Sequence, residues 1–253
     1  MGRLENKTAI VTGGAMGIGE GIVRRFAEEG AAVVIADMNL EAAEALAAEL
    51  CGSGMKAQAQ RIDITDLSQW KAAAAAVKEK YGRIDILVNN AGFANTGAPL
   101  ETMDLERDWH KLININLNGT FYGFYTVLPI MAEQGGGAVV STSSDAAIID
   151  MNGVCGYTAA KGAINALTRA AAVEYAARGI RVNAVCPAAT MTPAVDKLLK
   201  SMPDVMDNML KQCVIPRFGT PLDVANLVLF LASDEAAYVN GECVRVDGGY
   251  TLR

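Results

Sequence analysis

From Thr8 to Val185 the chain alternates short apolar, β-prone runs with stretches of helical period, and this alternation restricts the fold more than any single motif. Thr8–Val11, Ala32–Ala36, Lys56–Arg61, Ile84–Val88, Ala138–Ser141 and Ile180–Val185 read as strands. Helices are expected up to Glu29, from near Leu40, over Leu67–Tyr81, and from about Leu105 to Met131 with an interruption near Asn116–Gly119. A further helix carries Tyr157 and runs to about Ala177. Strands joined by helical crossovers lie parallel, wound right-handed, with both sheet faces covered. The expected fold is therefore α/β, a doubly wound parallel sheet. Residues 1–253 show no linker or break in composition and read as a single domain.

The same reading places the chemistry. Gly13, Asp37, Asp63, Asn90, Ser144 and Pro187 each fall just after the C-terminal end of an expected strand, the edge at which open α/β sheets bind ligands. Thr12-Gly13-Gly14-Ala15-Met16-Gly17-Ile18-Gly19 joins the first strand to the first helix. Glycines there allow positive φ and let a pyrophosphate approach backbone N–H groups at a helix N-terminus, although a glycine-rich turn is often only a turn. Asp37 ends the second strand about twenty residues later, where an acid suits a ribose 2′-hydroxyl. Its alternative role is to cap the helix opening near Leu40, a task Asn39 can also perform. No Arg or Lys follows Asp37, so a 2′-phosphate would meet an uncompensated anion; the reading favours NAD over NADP.

Tyr157 and Lys161 share one face of their helix, with Ser144 a short loop upstream. A free phenol, with a pKa near ~10, is a poor base at neutral pH. A fixed neighbouring cation is expected to favour the phenolate, and Ser144 offers a hydroxyl to the oxygen whose proton Tyr157 handles. Taken alone, such a pair is more often a helix surface.

Composition narrows the alternatives. A formal charge of -6 argues against a nucleic-acid partner. His110 is the only histidine, which excludes a Ser-His-Asp hydrolase and a multi-histidine metal site within one chain. Cys51, Cys155, Cys186, Cys213 and Cys243 are scattered singly and read as reduced, mostly buried thiols. The N-terminus lacks a secretory h-region and no apolar run is long enough to span a bilayer, so no membrane partner and a cytoplasmic location are expected.

In order and at these separations, Thr12–Gly19, Asp63, Asn89-Asn90-Ala91-Gly92, Asn116, Ser144, Tyr157-x-x-x-Lys161 and Val246-Asp247-Gly248-Gly249 resemble the short-chain dehydrogenase/reductase family over essentially the whole chain. The resemblance implies a Rossmann-type fold, a nicotinamide cofactor and hydride transfer between alcohol and ketone. It places Gly13, Met16, Gly17, Ile18 and Gly19 along the dinucleotide phosphates and ribose, and Asp37 and Met38 at the adenosine ribose. Asp63 and Ile64 would contact adenine, and Asn90, Ala91 and Gly92 the middle of the cofactor. Pro187, Thr190 and Thr192 would lie near the carboxamide, and Lys161 would reach the nicotinamide ribose beside Tyr157. Asn116 resembles the asparagine whose backbone holds a water in the proton path. Ser144, Tyr157, Lys161 and Asn116 are thus the implied catalytic set, and no metal is implied. The family also implies a homotetramer, formed through the Asn116 and Tyr157 helices and the C-terminal strand.

Two departures bear on the substrate. Pro187-Ala188 stands where the family commonly has Pro-Gly, narrowing that wall, and Asp145 follows Ser144 where an apolar residue is common. Asp145 meets either a polar substrate group or solvent, and solvent is the favoured reading. Substrate contacts are expected from Ser144, Asp145, Tyr157, Ala188, Met191 and Val195. Val195, Leu198, Leu199, Met202, Met206, Met209, Leu210 and Val214 give residues 190–215 an apolar character that suits either a lid or packing against the body. A lid favours a bulky apolar small molecule such as a hydroxysteroid or bile acid. The alternatives are a 3-oxoacyl-carrier reductase, a small diol, polyol or sugar dehydrogenase, and a dinucleotide-binding regulator without turnover.

Overall fold

The computed structural model describes residues 2–94, 97–149, 153–201 and 203–252. Seven parallel strands form one sheet in the order β3-β2-β1-β4-β5-β6-β7. They are β1 Thr8–Thr12, β2 Ala32–Asp37, β3 Lys56–Arg61, β4 Ile86–Asn89, β5 Gly137–Thr142, β6 Ile180–Pro187 and β7 Cys243–Val246. The order reverses between β1 and β4, and this switch point opens the crevice in which ligands of such sheets lie.

Side chains alternate across the sheet as its pleat requires. On one face Ala9, Val11, Val33, Ile35 and Val140 meet α1 (Gly17–Glu28), α2 (Leu40–Gly52) and α8 (Pro221–Ala232) through Phe26, Leu46 and Leu229. On the other, Ile10, Val34, Leu87, Val139 and Val182 meet α3 (Leu67–Tyr81), α4 (Gly119–Glu133) and α5 (Cys155–Tyr175), with Trp70 and Met131 fully buried. Only β3, at the edge, carries an alternating Gln-rich pattern with partial exposure. The cap at α2 is Asn39, whose side chain accepts from Ala42 N at 3.1 Å, leaving Asp37 free of that role.

Three features differ from the sequence expectation. β4 begins at Ile86 rather than Ile84; just ahead of it the Asp85 side chain accepts from Thr8 N at 2.8 Å and pairs with Arg83. The long helix ahead of α4 contains two π-helical turns, Glu106–His110 and Ile113–Asn118, so the expected interruption is a change of winding rather than a break. α8 and β7 complete the C-terminal part. α8 is announced by Thr220-Pro221-Leu222-Asp223, where Thr220 and Asp223 close a reciprocal capping box. Between β6 and α8 lie α6 (Pro193–Ser201) and α7 (Pro203–Gln212).

Candidate active site

The C-terminal edge of the sheet gathers the expected residues around two linked regions. The first is a glycine cradle. Gly13 and Gly17 hold φ of +59° and +60°, which L side chains rarely adopt. A Cβ on Gly19 would stand 1.9 Å from the Gly13 carbonyl oxygen, and one on Gly13 would stand 2.8 Å from Ala91 Cα. The turn thus brings backbone where no side chain fits, at the N-terminus of α1, the geometry a dinucleotide phosphate needs. Thr12 Oγ1 accepts from both Asn90 N and Ala91 N, at 3.0 and 3.1 Å, and Asn90 Nδ2 donates to the carbonyls of Thr12 and Gly13. The β1 and β4 ends are therefore one polar unit.

Asp37 faces the same turn, its Oδ2 accepting from Ala15 N at 3.1 Å and its Oδ1 from Asn39 N at 2.9 Å. Met16 and Met38 stand at the rim with exposed side chains. Asp63 folds back on Thr65, while Ile64 buries its side chain beneath Gly119 and gives its carbonyl to Trp70 Nε1. Across the cradle, Thr192 approaches to 3.1 Å from where a Gly17 Cβ would be, and it caps α6 by accepting from Val195 N. Thr190 is buried and donates to the Ala188 carbonyl at 2.9 Å, holding the turn after Pro187. Met191 is tied to Gly219 through its backbone N–H. The residues present fit a dinucleotide.

The second region is the hydroxyl and amine cluster. Lys161 is 4% exposed and its Nζ lies 5.6 Å from the centroid of the Tyr157 ring. Burial pushes its amine down to about 8, against a small opposing effect of Cys186. Tyr157 is pushed above the usual phenol value, first by burial; a hydrogen bond with Ser144 works against the shift and the charge of Asp145 adds to it. The expectation that the neighbouring cation favours the phenolate needs correcting for the site as it stands, because burial of the phenol dominates its shift. Asn116 is fully buried; its side chain clasps Phe93, accepting from Phe93 N at 3.1 Å and donating to Phe93 O at 2.8 Å. Its carbonyl accepts from Thr120 Oγ1 at 2.8 Å. A Cβ on Gly92 would meet Asn116 Oδ1 at 2.8 Å and Lys161 Nζ at 3.5 Å, so these two groups border one small space.

Asp145 is the largest departure. It is 7% exposed, not directed to solvent, and its Oδ1 accepts from Ser144 Oγ at 2.8 Å and from Ala146 N at 2.9 Å. The short helical turn Asp145–Ala147 that Ser144 caps folds the carboxylate inward. Burial raises its pKa, opposed by the Ser144 and Ala146 hydrogen bonds. The thiols also differ from expectation: Cys186 is buried, Cys51 is exposed, and Cys155, Cys213 and Cys243 are half-buried.

Beside Ala188 lies a cavity of about 300 Å³, with Met209, Ile215 and Phe218 on its apolar side and Arg245, Asp247 and Tyr250 on its polar side. Sequence reasoning did not assign the C-terminal wall to the site. Its signal was Val246-Asp247-Gly248-Gly249, whose glycines at φ of +59° and +82° accept the close approach of Val214 and Ile215. Val195, Met209 and Leu210 are half-buried. Of the other lid candidates, Met202 and the side chains of Leu198, Leu199 and Met206 lie outside the described residues. Among the described residues no His, Cys, Asp and Glu side chains form a metal-binding group, and no helix is long and apolar enough to cross a membrane.

The chain is similar to known oxidoreductases over nearly its whole length. A family model described as enoyl-(acyl carrier protein) reductase matches residues 13–251. Oxidoreductase UcpA of Escherichia coli (strain K12) is 43% identical, over 100% of this chain and 97% of its own. The 2,5-dichloro-2,5-cyclohexadiene-1,4-diol dehydrogenase LinX of Sphingobium indicum is 38% identical, over 99% of this chain and 98% of its own. Among solved structures, a 7α-hydroxysteroid dehydrogenase complexed with NADH and 7-oxo glycochenodeoxycholic acid is similar with a TM-score of 0.92 and 36% identity, covering 98% of this chain and 95% of that one.

Proposed function

Because the chain belongs to the short-chain dehydrogenase/reductase family of oxidoreductases, we propose that it transfers hydride between NAD(H) and a secondary alcohol or its ketone. The observation that carries the reading is the meeting of Ser144, Tyr157 and Lys161 at the same sheet edge as the Gly13–Gly19 cradle. Asp37 supports NAD over NADP, because its carboxylate and the absence of a following cation suit two ribose hydroxyls rather than a 2′-phosphate.

In the oxidative direction Ser144 and Tyr157 hold the carbinol oxygen, and Tyr157 takes its proton as the carbon loses hydride. The bound nicotinamide supplies the hydride acceptor, and its positive charge lowers the cost of ionising the phenol. Lys161 adds a fixed cation over the ring and would reach the ribose hydroxyls of a bound cofactor. Asn116 keeps Phe93 and the strand end in register beneath this group. The Gly13, Met16, Gly17, Ile18 and Gly19 turn would hold the phosphates, with Asp37, Met38, Asp63 and Ile64 on the adenosine side. Asn90, Ala91 and Gly92 would lie along the middle, and Pro187, Thr190 and Thr192 near the carboxamide.

For the substrate, Ala188, Met191 and Val195 narrow the nicotinamide end, and residues 190–215 act as a lid over the cavity walled by Met209, Ile215 and Phe218. This favours a bulky apolar alcohol such as a hydroxysteroid, with a small ring diol, the kind of compound LinX is named for, as the alternative. A cytoplasmic homotetramer goes with this reading. Exposed Phe121 and Tyr125 on α4 and Val173 on α5 supply apolar surface for subunit packing, beside the small Ala166 and Ala170.

A second reading, reduction of a carrier-bound 3-oxoacyl chain, draws on the description of the matching family model. The net charge of -6 and Asp37 speak against an acidic carrier and NADPH. A panel of cyclic alcohols, hydroxysteroids, short polyols and an oxoacyl-carrier thioester, each followed with both nucleotides by NAD(P)H absorbance, decides between them. NADH formation with the alicyclic alcohols is the expected result. Nucleotide binding with no turnover across the panel would instead make the chain a dinucleotide-binding regulator.

A further inference from the structure

The mechanism leaves one group in the site without a task. Asp145 is more than nine-tenths buried, and its Oδ1 is held by Ser144 Oγ and Ala146 N. Among the described residues no other residue donates a hydrogen bond to its other oxygen, Oδ2, and Asp145 has no ion-pair partner. Oδ2 is also not among the fully enclosed unpartnered side-chain atoms, which are those of Asn89, Thr126, Ser141, Thr158 and Thr168. It therefore reaches an opening. That oxygen stands beside the hydroxyl cluster, because its partner Oδ1 is bonded to Ser144 Oγ at 2.8 Å. Lys161, the nearest buried cation of the mechanism, is committed to the Thr142 carbonyl and does not neutralise it.

A carboxylate oxygen in so little water is costly unless a donor meets it. We propose that Asp145 Oδ2 accepts a hydrogen bond from a second hydroxyl of the substrate, borne on a carbon next to, or one removed from, the reacting carbinol. The inference rests on the oxidoreductase reading and narrows its substrate class to vicinal or near-vicinal diols and the matching hydroxyketones. The spacing supports it. The two oxygens of a carboxylate stand about 2 Å apart, so Oδ2 is held within roughly 5 Å of Ser144 Oγ, and the hydroxyls of such diols are separated by about 3–5 Å.

The test pairs substrates with variants. Wild type, Asp145→Asn and Asp145→Ala are compared on a vicinal cyclohexanediol and on cyclohexanol, by NAD-coupled kcat/KM and by calorimetric binding of each alcohol to the NADH-loaded protein. Any loss acting only through Ser144 affects both alcohols alike, so the diol-to-monohydric ratio is the readout. Wild type should prefer the diol, and each variant should lower that ratio by about 10–100-fold, the loss of one hydrogen bond to a charged acceptor. Thermal melts and NADH binding near wild-type values show that the variants are folded. An unchanged ratio in both variants, a wild type that favours cyclohexanol, or a preference for the analogous amino alcohol overturns the proposal. Turnover of cyclohexanol without diol preference sinks the Asp145 role while leaving the oxidoreductase reading intact. Diol-selective binding without turnover does the reverse.

Discussion

Lys161 Nζ donates to the Thr142 carbonyl at 2.8 Å, while the Lys161 carbonyl accepts from Ser143 Oγ at 3.0 Å. One residue of α5 is thus clamped at both ends to the terminus of β5, which positions Ser144 and Tyr157 against each other. The ammonium is directed by backbone, not by the phenol, and its location over the ring is a product of that clamp.

The clamp holds an amine where burial lowers its pKa from 10.5 to about 8. Between those values the unfolded chain keeps a proton that the folded chain has released, so folding stability from this group rises with pH across the window. It is fully present above about 10.5 and is lost as pH falls through about 8. Urea unfolding of wild type and Lys161→Met, measured from about pH 7 to about pH 10, should show the difference moving in favour of wild type by about 2–3 kcal/mol. A difference that stays flat over that range would mean the amine is not held below its free value.

Asp37 makes two hydrogen bonds to the backbone that frames the cradle and takes none from a basic side chain. Asp37→Ala is expected to lower kcat/KM for NAD+ by about 10–100-fold, the loss of hydrogen bonds to a charged acceptor, and to leave or improve the value for NADP+. Steady-state rates with both nucleotides check this. A wild type that already prefers NADP+ contradicts the assignment outright.

Strands and cradle were legible in the sequence because each depends on local chemistry: β-prone runs, glycines at forced φ, and polar residues at strand ends. The rest depends on tertiary placement. The sequence shows an interruption near Asn116–Gly119 but not that it is a change to π-helical winding, and only packing shows that Asp108 and Asn116 turn inward. Asp145 has no periodic neighbour to reveal its side; its burial follows from the single turn that Ser144 caps. The spacing of Tyr157 and Lys161 gives a shared face, yet not which end of the ring the amine meets. Residues 214–215 read as apolar, but their seat on Gly248–Gly249 joins segments far apart in the chain.

Two glycines separate close backbone approach from simple flexibility. A Cβ on Gly19 would stand 1.9 Å from the Gly13 carbonyl oxygen, whereas one on Gly52, at the end of α2, meets nothing within 4 Å. Gly19→Ala should cost about 1–3 kcal/mol of stability as overpacking does, and weaken NADH binding because the turn must shift. Gly52→Ala should stabilise by about 0.5–1 kcal/mol and leave NADH binding unchanged. Chemical denaturation with NADH fluorescence titration measures both, and equal effects from the two substitutions would contradict the cradle.

Tyr157→Phe removes one oxygen from a ring whose position is fixed by its helix, with Lys161 over it. The variant should fold as wild type and bind NADH normally, because the cradle and the Lys161 clamp are untouched. With no group left to take the carbinol proton, kcat should fall by about 10²–10⁴-fold, the usual range for a positioned acid or base. Ser144→Ala should fall less, since the phenol remains, and should raise the phenol pKa further by removing the hydrogen bond that lowers it. The alkaline shift of the kcat/KM profile in Ser144→Ala is the more discriminating measurement. A structural role for Ser144 changes the amount of folded enzyme but not the pH at which it works. A profile that stays in place, or a Tyr157→Phe variant with normal turnover, would remove the phenol from the reaction.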